Sequence, residues 1–124
     1  MKYSFSNRAK ENLLAAEILF DKSLYNASTN RAYYAAFHSA VSYLFHSNID
    51  TVIDHRNVLS LFINEFINRK KVFPSFFKKQ LYEMQNTRND ADYKTGVSKN
   101  AAMKQLRIAK NIVDLVLKEI ENEQ

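Results

Sequence analysis

Apolar residues return along most of this chain at alternating steps of three and four, the spacing that gathers them on one face of an α-helix. In the first segment Ala9, Leu13, Ala16 and Phe20 follow that rhythm and predict a helix from about Asn7 to Lys22, with Ser6 placed to cap it. The polar stretch Asn26 to Asn30 predicts a break. Tyr33, Phe37, Ala40 and Leu44 then restart the spacing on a second helix, whose apolar face Tyr34, Val41 and Phe45 widen. Asn48 to Asp54 reads as a loop, and Asp54 can accept backbone N–H groups at the start of a third helix carrying Val58, Leu61, Phe62 and Phe66. Pro74 suits the first turn of a fourth helix, where a missing N–H costs nothing. On that helix Phe77, Leu81, Met84, Arg88 and Ala91 share a face, so an arginine interrupts an apolar stripe. After a turn at Gly96, Ser98 can cap a last helix on which Ala102, Leu106, Ala109, Val113, Val116 and Ile120 keep the same rhythm.

One glycine and one proline leave too little turn chemistry for hairpins or sandwiches. The pattern predicts an all-α, antiparallel bundle of about five helices, with the second, fourth and fifth forming its core. At 124 residues, 46% of them hydrophobic, residues 1–124 fit a single domain. The seven tyrosines and nine phenylalanines either fill the core of one chain or leave an apolar face for a homodimer. The absence of cysteine removes disulfides and thiolate metal sites, and the cytoplasm is the expected compartment. Met1 to Arg8 is polar between its aromatics, and no apolar run nears the roughly 20 residues that span a bilayer, so no membrane association is expected. The net charge of +5 favours polyanions such as RNA, or an acidic protein surface, although the basic residues are scattered apart from Arg69-Lys70-Lys71 and Lys78-Lys79.

Arg31, Tyr34 and His38 stand at i, i+3 and i+7, which sets a cation, a phenol and an imidazole along one side of the second helix. They form either a polar pocket or a hydrogen-bonded margin of the core. His38, His46 and His55 belong to no metal-ligand spacing, so neither a metal nor a cofactor is expected. The most informative stretch is Thr87 to Tyr93, where Arg88 and Asp92, four residues apart, can pair on one helical face. That pair is either a structural ion pair or a guanidinium offered to a phosphate, with Asn89, Asp92 and Tyr93 orienting it or touching the ligand. Asp90-Ala91-Asp92 has the spacing of an acidic metal pair but no partner carboxylate motif.

These stretches carry a resemblance. Arg31 to His38 reads R-x-YYA-x-FH and resembles the second-helix signature of a bacterial and archaeal branch of the HEPN family. Asp54-His55-Arg56-Asn57-Val58 looks like that family's histidine-led third helix, and Arg88-Asn89-Asp90-Ala91-Asp92-Tyr93 like its arginine-to-Asp-Tyr segment. The resemblance implies a helical bundle, commonly homodimeric, often encoded beside a small nucleotidyltransferase of toxin–antitoxin type. In several branches it implies a metal-independent ribonuclease, in which an arginine holds the phosphate and a histidine, separated from it by four to six residues, moves the proton. This chain departs there: no histidine follows His55, and Asp92-Tyr93 occupies the region of the expected His-x-Tyr. A carboxyl group with an ordinary pKa of about 3.9 is a weak base at neutral pH. The residues therefore favour a module that binds RNA, a nucleotide or a nucleotidyltransferase through Arg88, Asp92, Tyr93 and Arg31. Two alternatives remain open. One is a ribonuclease in which Arg88 acts with His38 or His55, and the other a purely structural dimeric bundle. Arg88 and Asp92 are the catalytic candidates; Arg31, Tyr34, His38, His55, Asn89 and Tyr93 are the ligand-binding ones.

Overall fold

The computed structural model describes residues 2–124. It is all-α: α1 (Lys2–Asp21), α2 (Tyr25–His46), α3 (His55–Phe62), α4 (Phe76–Tyr93) and α5 (Lys99–Asn122), with α3 running on as a π-helical segment, Ile63–Arg69. The described residues contain no strand.

Ser6 does not cap α1. Phe5 extends the Ala9, Leu13 and Ala16 stripe by one more turn and is itself buried, so the helix begins at Lys2, and the Ser6 hydroxyl pairs with that of Ser42 on α2. The break expected at Asn26 to Asn30 is also absent, because α2 already starts at Tyr25. The actual reversal is Lys22 to Leu24, where Ser23 takes a left-handed conformation (φ 63°) and the Leu24 N–H closes on the Leu19 carbonyl at 2.9 Å. Ser28 and Thr29 look like loop residues but are fully buried against neighbouring helices. The Ser28 hydroxyl donates to the Ala16 carbonyl at 2.7 Å, which satisfies it inside the α1/α2 interface.

The central element is α2. It packs most extensively on α1, its antiparallel neighbour across the short turn, then on α5 and α4, so α1 takes a share of the core that the hydrophobic pattern had assigned to α4. Two caps stand where the spacing put them: Asp54 accepts the Asn57 N–H at 2.8 Å and Ser98 the Ala101 N–H at 3.1 Å. Pro74 lies just ahead of α4 rather than inside its first turn, and its carbonyl accepts the Phe77 N–H at 3.1 Å. Gly96, at φ 103°, makes the turn into α5, and the adjoining Val97 N–H donates to the Asn26 side chain at 2.9 Å, tying this turn to the start of α2. On α5 the inward position is Gln105 instead of Leu106, which is only partly buried. The Gln105 amide donates to the Met84 carbonyl at 2.9 Å and so bridges α5 to α4.

Tyr33, Tyr43, Phe62, Phe66 and Phe77 are all fully buried within the one chain, so a substantial part of the aromatic content fills its core. Large apolar residues that stay exposed include Leu14 and Ile18 on α1 and Leu115 on α5. No helix among the described residues is long and apolar enough to cross a membrane.

Candidate functional site

The register of α2 presents Arg31, Tyr34 and His38 as a line, and α1, α3 and α4 each bring polar groups to it. Arg31 is held hard in place. Its Nη1 donates to Asn12 Oδ1 at 3.0 Å from α1, and its Nε donates to Asn30 Oδ1 at 3.1 Å. The guanidinium lies 5.0 Å from the centroid of the Tyr34 ring, within cation–π range.

Arg88 arrives from α4 at the same ring, 5.4 Å from the Tyr34 centroid and 5.7 Å from that of Tyr33. Two guanidinium groups thus share one phenol. The Arg88 side chain is 16% exposed, and its Nε stands 3.2 Å from Asp92 Oδ2. The N–H there is not aligned on the carboxylate and makes no hydrogen bond, so the pairing is one of charge alone. Nη1 makes only a long contact of 3.5 Å with Asn89 Oδ1. Asn30 connects the two cations, since its oxygen takes Arg31 while its Nδ2 donates to Asp92 Oδ2 at 2.9 Å. Arg31 is therefore held by three hydrogen bonds, whereas Arg88 makes a single long one and has more donors to spare.

His55, from the first turn of α3, closes the cluster. Its ring stacks on Phe37 with centroids 4.7 Å apart, its Nδ1 lies 2.6 Å from the Tyr33 hydroxyl, and its Nε2 lies 3.4 Å from the Tyr34 hydroxyl. Burial lowers the His55 pKa, the Arg88 charge lowers it further, and Asp54 opposes them. Burial raises the Tyr33 phenol well above its usual value, against the pull of Arg88. At neutral pH this is a chain of uncharged groups beside a cation.

His38 is uncharged as well. Arg31 donates to Asn12 Oδ1, so the Asn12 atom facing His38 is the amide nitrogen, which stands 3.1 Å from Nδ1. Nδ1 is then the acceptor and the ring proton sits on Nε2. Burial, followed by the charges of Arg8 and Arg31 and by His55, lowers the His38 pKa to about 4. The unfolded chain takes up this proton near pH 6.5. Stability from His38 is therefore complete above that pH and is lost progressively as the pH falls toward about 4. Thermal melts from pH 7 to pH 4 should show a falling Tm, with a shallower fall in His38→Gln; parallel curves for the two proteins would refute the assignment.

The structure brings together Arg31, Tyr34, His38, His55, Arg88, Asn89 and Asp92. Tyr93 stands apart: it is 76% exposed, and no hydrogen bond or ring contact holds it. It lies one step round α4 from Asp92, which turns it off the shared face. Three participants escaped the sequence reading. Tyr33 lies on the predicted core stripe and in the family signature but is not among the candidate site residues, Asn30 falls at the edge of the predicted break, and Asn12 carries no signal beyond being polar beside Leu13. Among the described residues, no three His, Asp or Glu side chains converge as a metal-holding group.

An all-α bundle with arginines from two helices meeting over paired tyrosines on its central helix defines the class. Residues 4–120 match the profile of the HEPN domain, and the chain belongs to that family. It is similar to "Putative toxin MJ0605" of Methanocaldococcus jannaschii, with 38% identity over 87 residues covering 70% of this chain and 63% of that protein. It is also similar to "UPF0332 protein glr0978" of Gloeobacter violaceus, at 32% identity over 70% of this chain and 68% of that one. A third relative, "Putative toxin MJ0142" of the same archaeon, is 30% identical over 69% of this chain and 57% of its own length. The chain thus spans about two thirds or less of these relatives.

Proposed function

We propose that this chain is a HEPN protein of toxin–antitoxin type that holds a phosphate group of RNA or of a nucleotide at Arg88, without efficient catalysis. The observation that carries this reading is the state of Arg88. It is a mostly buried guanidinium with unaligned or long contacts, next to a second guanidinium that Asn12 and Asn30 already hold by three hydrogen bonds. A cation in that position gains from an anion that can accept its free donors in parallel, which is what a phosphate does. Asp92 and Asn89 steady Arg88, Arg31 adds charge through Tyr34, and His55 lines the approach. The toxin names of two archaeal relatives support the biological setting. In that setting a nucleotidyltransferase-type antitoxin is the partner, and the chain works in the cytoplasm. A homodimer fits the apolar residues left exposed on α1 and α5.

A second reading, ribonuclease activity, is favoured by one observation: an uncharged imidazole, His55, lies close enough to Arg88 for that charge to depress its pKa. Its Nδ1 lies 2.6 Å from the Tyr33 hydroxyl and its Nε2 makes the longer contact, 3.4 Å, with that of Tyr34, so in the tautomer protonated on Nδ1 the Nε2 atom is the one able to accept a proton. One experiment separates the readings. Purified protein is titrated into labelled single-stranded RNA, and the RNA is then resolved by length. Saturable, salt-sensitive binding with intact RNA is the expected result. Cleavage that disappears in both Arg88→Ala and His55→Ala would install the enzyme reading, and an absence of both binding and cleavage would defeat the two together.

A further inference from the structure

We propose that the groove between α3 and α4 is a nucleobase subsite, in which the Tyr82 ring stacks on the base of a nucleotide whose phosphate is held at Arg88. This rests on the phosphate-binding reading above and adds what the rest of the ligand is. The groove has a volume of about 390 Å³ and is lined by His55, Arg56, Leu59, Ser60, Tyr82 and Gln85. That size is within the range of small-molecule sites, and the lining combines an aromatic face and an aliphatic residue with amide and hydroxyl groups. A base needs that combination, since its faces are apolar and its edge is polar.

Tyr82 is 45% exposed, and no aromatic ring, cation or hydrogen bond partners it. Most rings of this chain are engaged with other rings inside the core, as Tyr43 is with Phe66 and Phe73. A half-exposed ring along a groove wall offers a free face at no cost in core packing. Continuity with the arginine cluster comes through His55. One side of the matter is the groove, which His55 lines; the other is the pair Tyr33 and Tyr34, which His55 contacts and over which Arg88 lies. On α4, Tyr82, Gln85 and Asn89 stand at i, i+3 and i+7, a track that leads from the groove to the neighbour of Arg88. Arg56 adds a positive charge that no carboxylate neutralises by an ion pair.

A larger groove, about 500 Å³ between α1 and α5, lacks these properties. Its charged lining mixes Lys10 and Lys118 with Glu17, Asp114 and Glu121, and no aromatic ring lines it, so it gives a base nothing to stack on. The chemistry recognised at the α3/α4 groove is a nucleoside monophosphate unit, and it is the same whether that unit is free or part of a single strand.

The test compares the parent, Tyr82→Ala and Tyr82→Phe, each titrated with inorganic phosphate, AMP and a short single-stranded oligoadenylate. Tyr82 is exposed, so both variants should fold, which their melting curves will verify. Losing one stacked base should weaken AMP or RNA binding by about tenfold in Tyr82→Ala, while inorganic phosphate binds as before and Tyr82→Phe stays near the parent. Loss for AMP alone assigns the site to free nucleotides, and loss for RNA alone assigns it to a strand; either supports the proposal. Equal AMP and RNA affinity in the parent and Tyr82→Ala, with phosphate still bound, would overturn the subsite and leave the phosphate reading intact. A loss in Tyr82→Phe as large as in Tyr82→Ala would overturn stacking. If no probe binds the parent, both the subsite and the phosphate reading fall.

Discussion

Phe37→Ala should lower the unfolding free energy by about 3–5 kcal/mol, the usual consequence of truncating a buried phenylalanine. The side chain is 4% exposed, in the middle of the helix that every other helix of the bundle touches. Its ring stacks on His55 at 4.7 Å and on Tyr33 at 6.2 Å, so the substitution removes both core volume and the surface that holds the α3 histidine in place. A domain of ordinary stability has only about 5–15 kcal/mol in total. The variant should therefore unfold at much lower denaturant, and it should lose ligand binding if His55 is set loose. Phe37→Leu, which keeps most of the volume, should lie between the two. A Phe37→Ala protein within about 1 kcal/mol of the parent in urea unfolding would show that this ring does not brace the site.

The Arg88 and Asp92 pair should separate structure from function. Arg88→Ala removes a guanidinium resting near two tyrosine rings and a charge partner 3.2 Å from Asp92, and it should cost about 1–2 kcal/mol. The Asp92 side chain is 25% exposed and keeps its bond to Asn30, so removing it as well should recover part of that loss. Binding should not recover. A charge-assisted contact to phosphate is worth about 1.5–3 kcal/mol, so single-stranded RNA should bind roughly 10- to 100-fold more weakly to Arg88→Ala and to the double variant alike. A folded double variant with parental affinity for RNA and nucleotide would make Arg88 a structural residue only.

The two outcomes bear on different levels of the molecule, and those levels differ in how much the sequence announces them. The number of helices, their order and two of their starts are local matters. Asp54 and Ser98 each accept an N–H three residues away, and a step of three or four residues puts Phe37 and Leu44 on one face whatever that face meets. The family resemblance was equally legible, because its three segments lie in order along the chain and the HEPN profile spans them. The same local reading failed where a polar residue is buried by a partner helix. Ser28 and Thr29 resemble a loop until α1 is laid beside them, and Gln105 resembles a surface position until the Met84 carbonyl receives its amide.

Of the site, the sequence by itself determined the line Arg31, Tyr34 and His38 and the pairing of Arg88 with Asp92, since each is a spacing within one helix. Only the tertiary structure decided that the two arginines share Tyr34, that Asn12 and Asn30 hold Arg31 while Arg88 keeps most of its donors unbonded, and that His55 joins them while Tyr93 does not. The physical reason is that helical periodicity states which residues share a face of one helix, whereas a site depends on which face of another helix comes to meet it. That choice is made by the packing of all five helices together, over contacts too distant in sequence to leave a periodic trace.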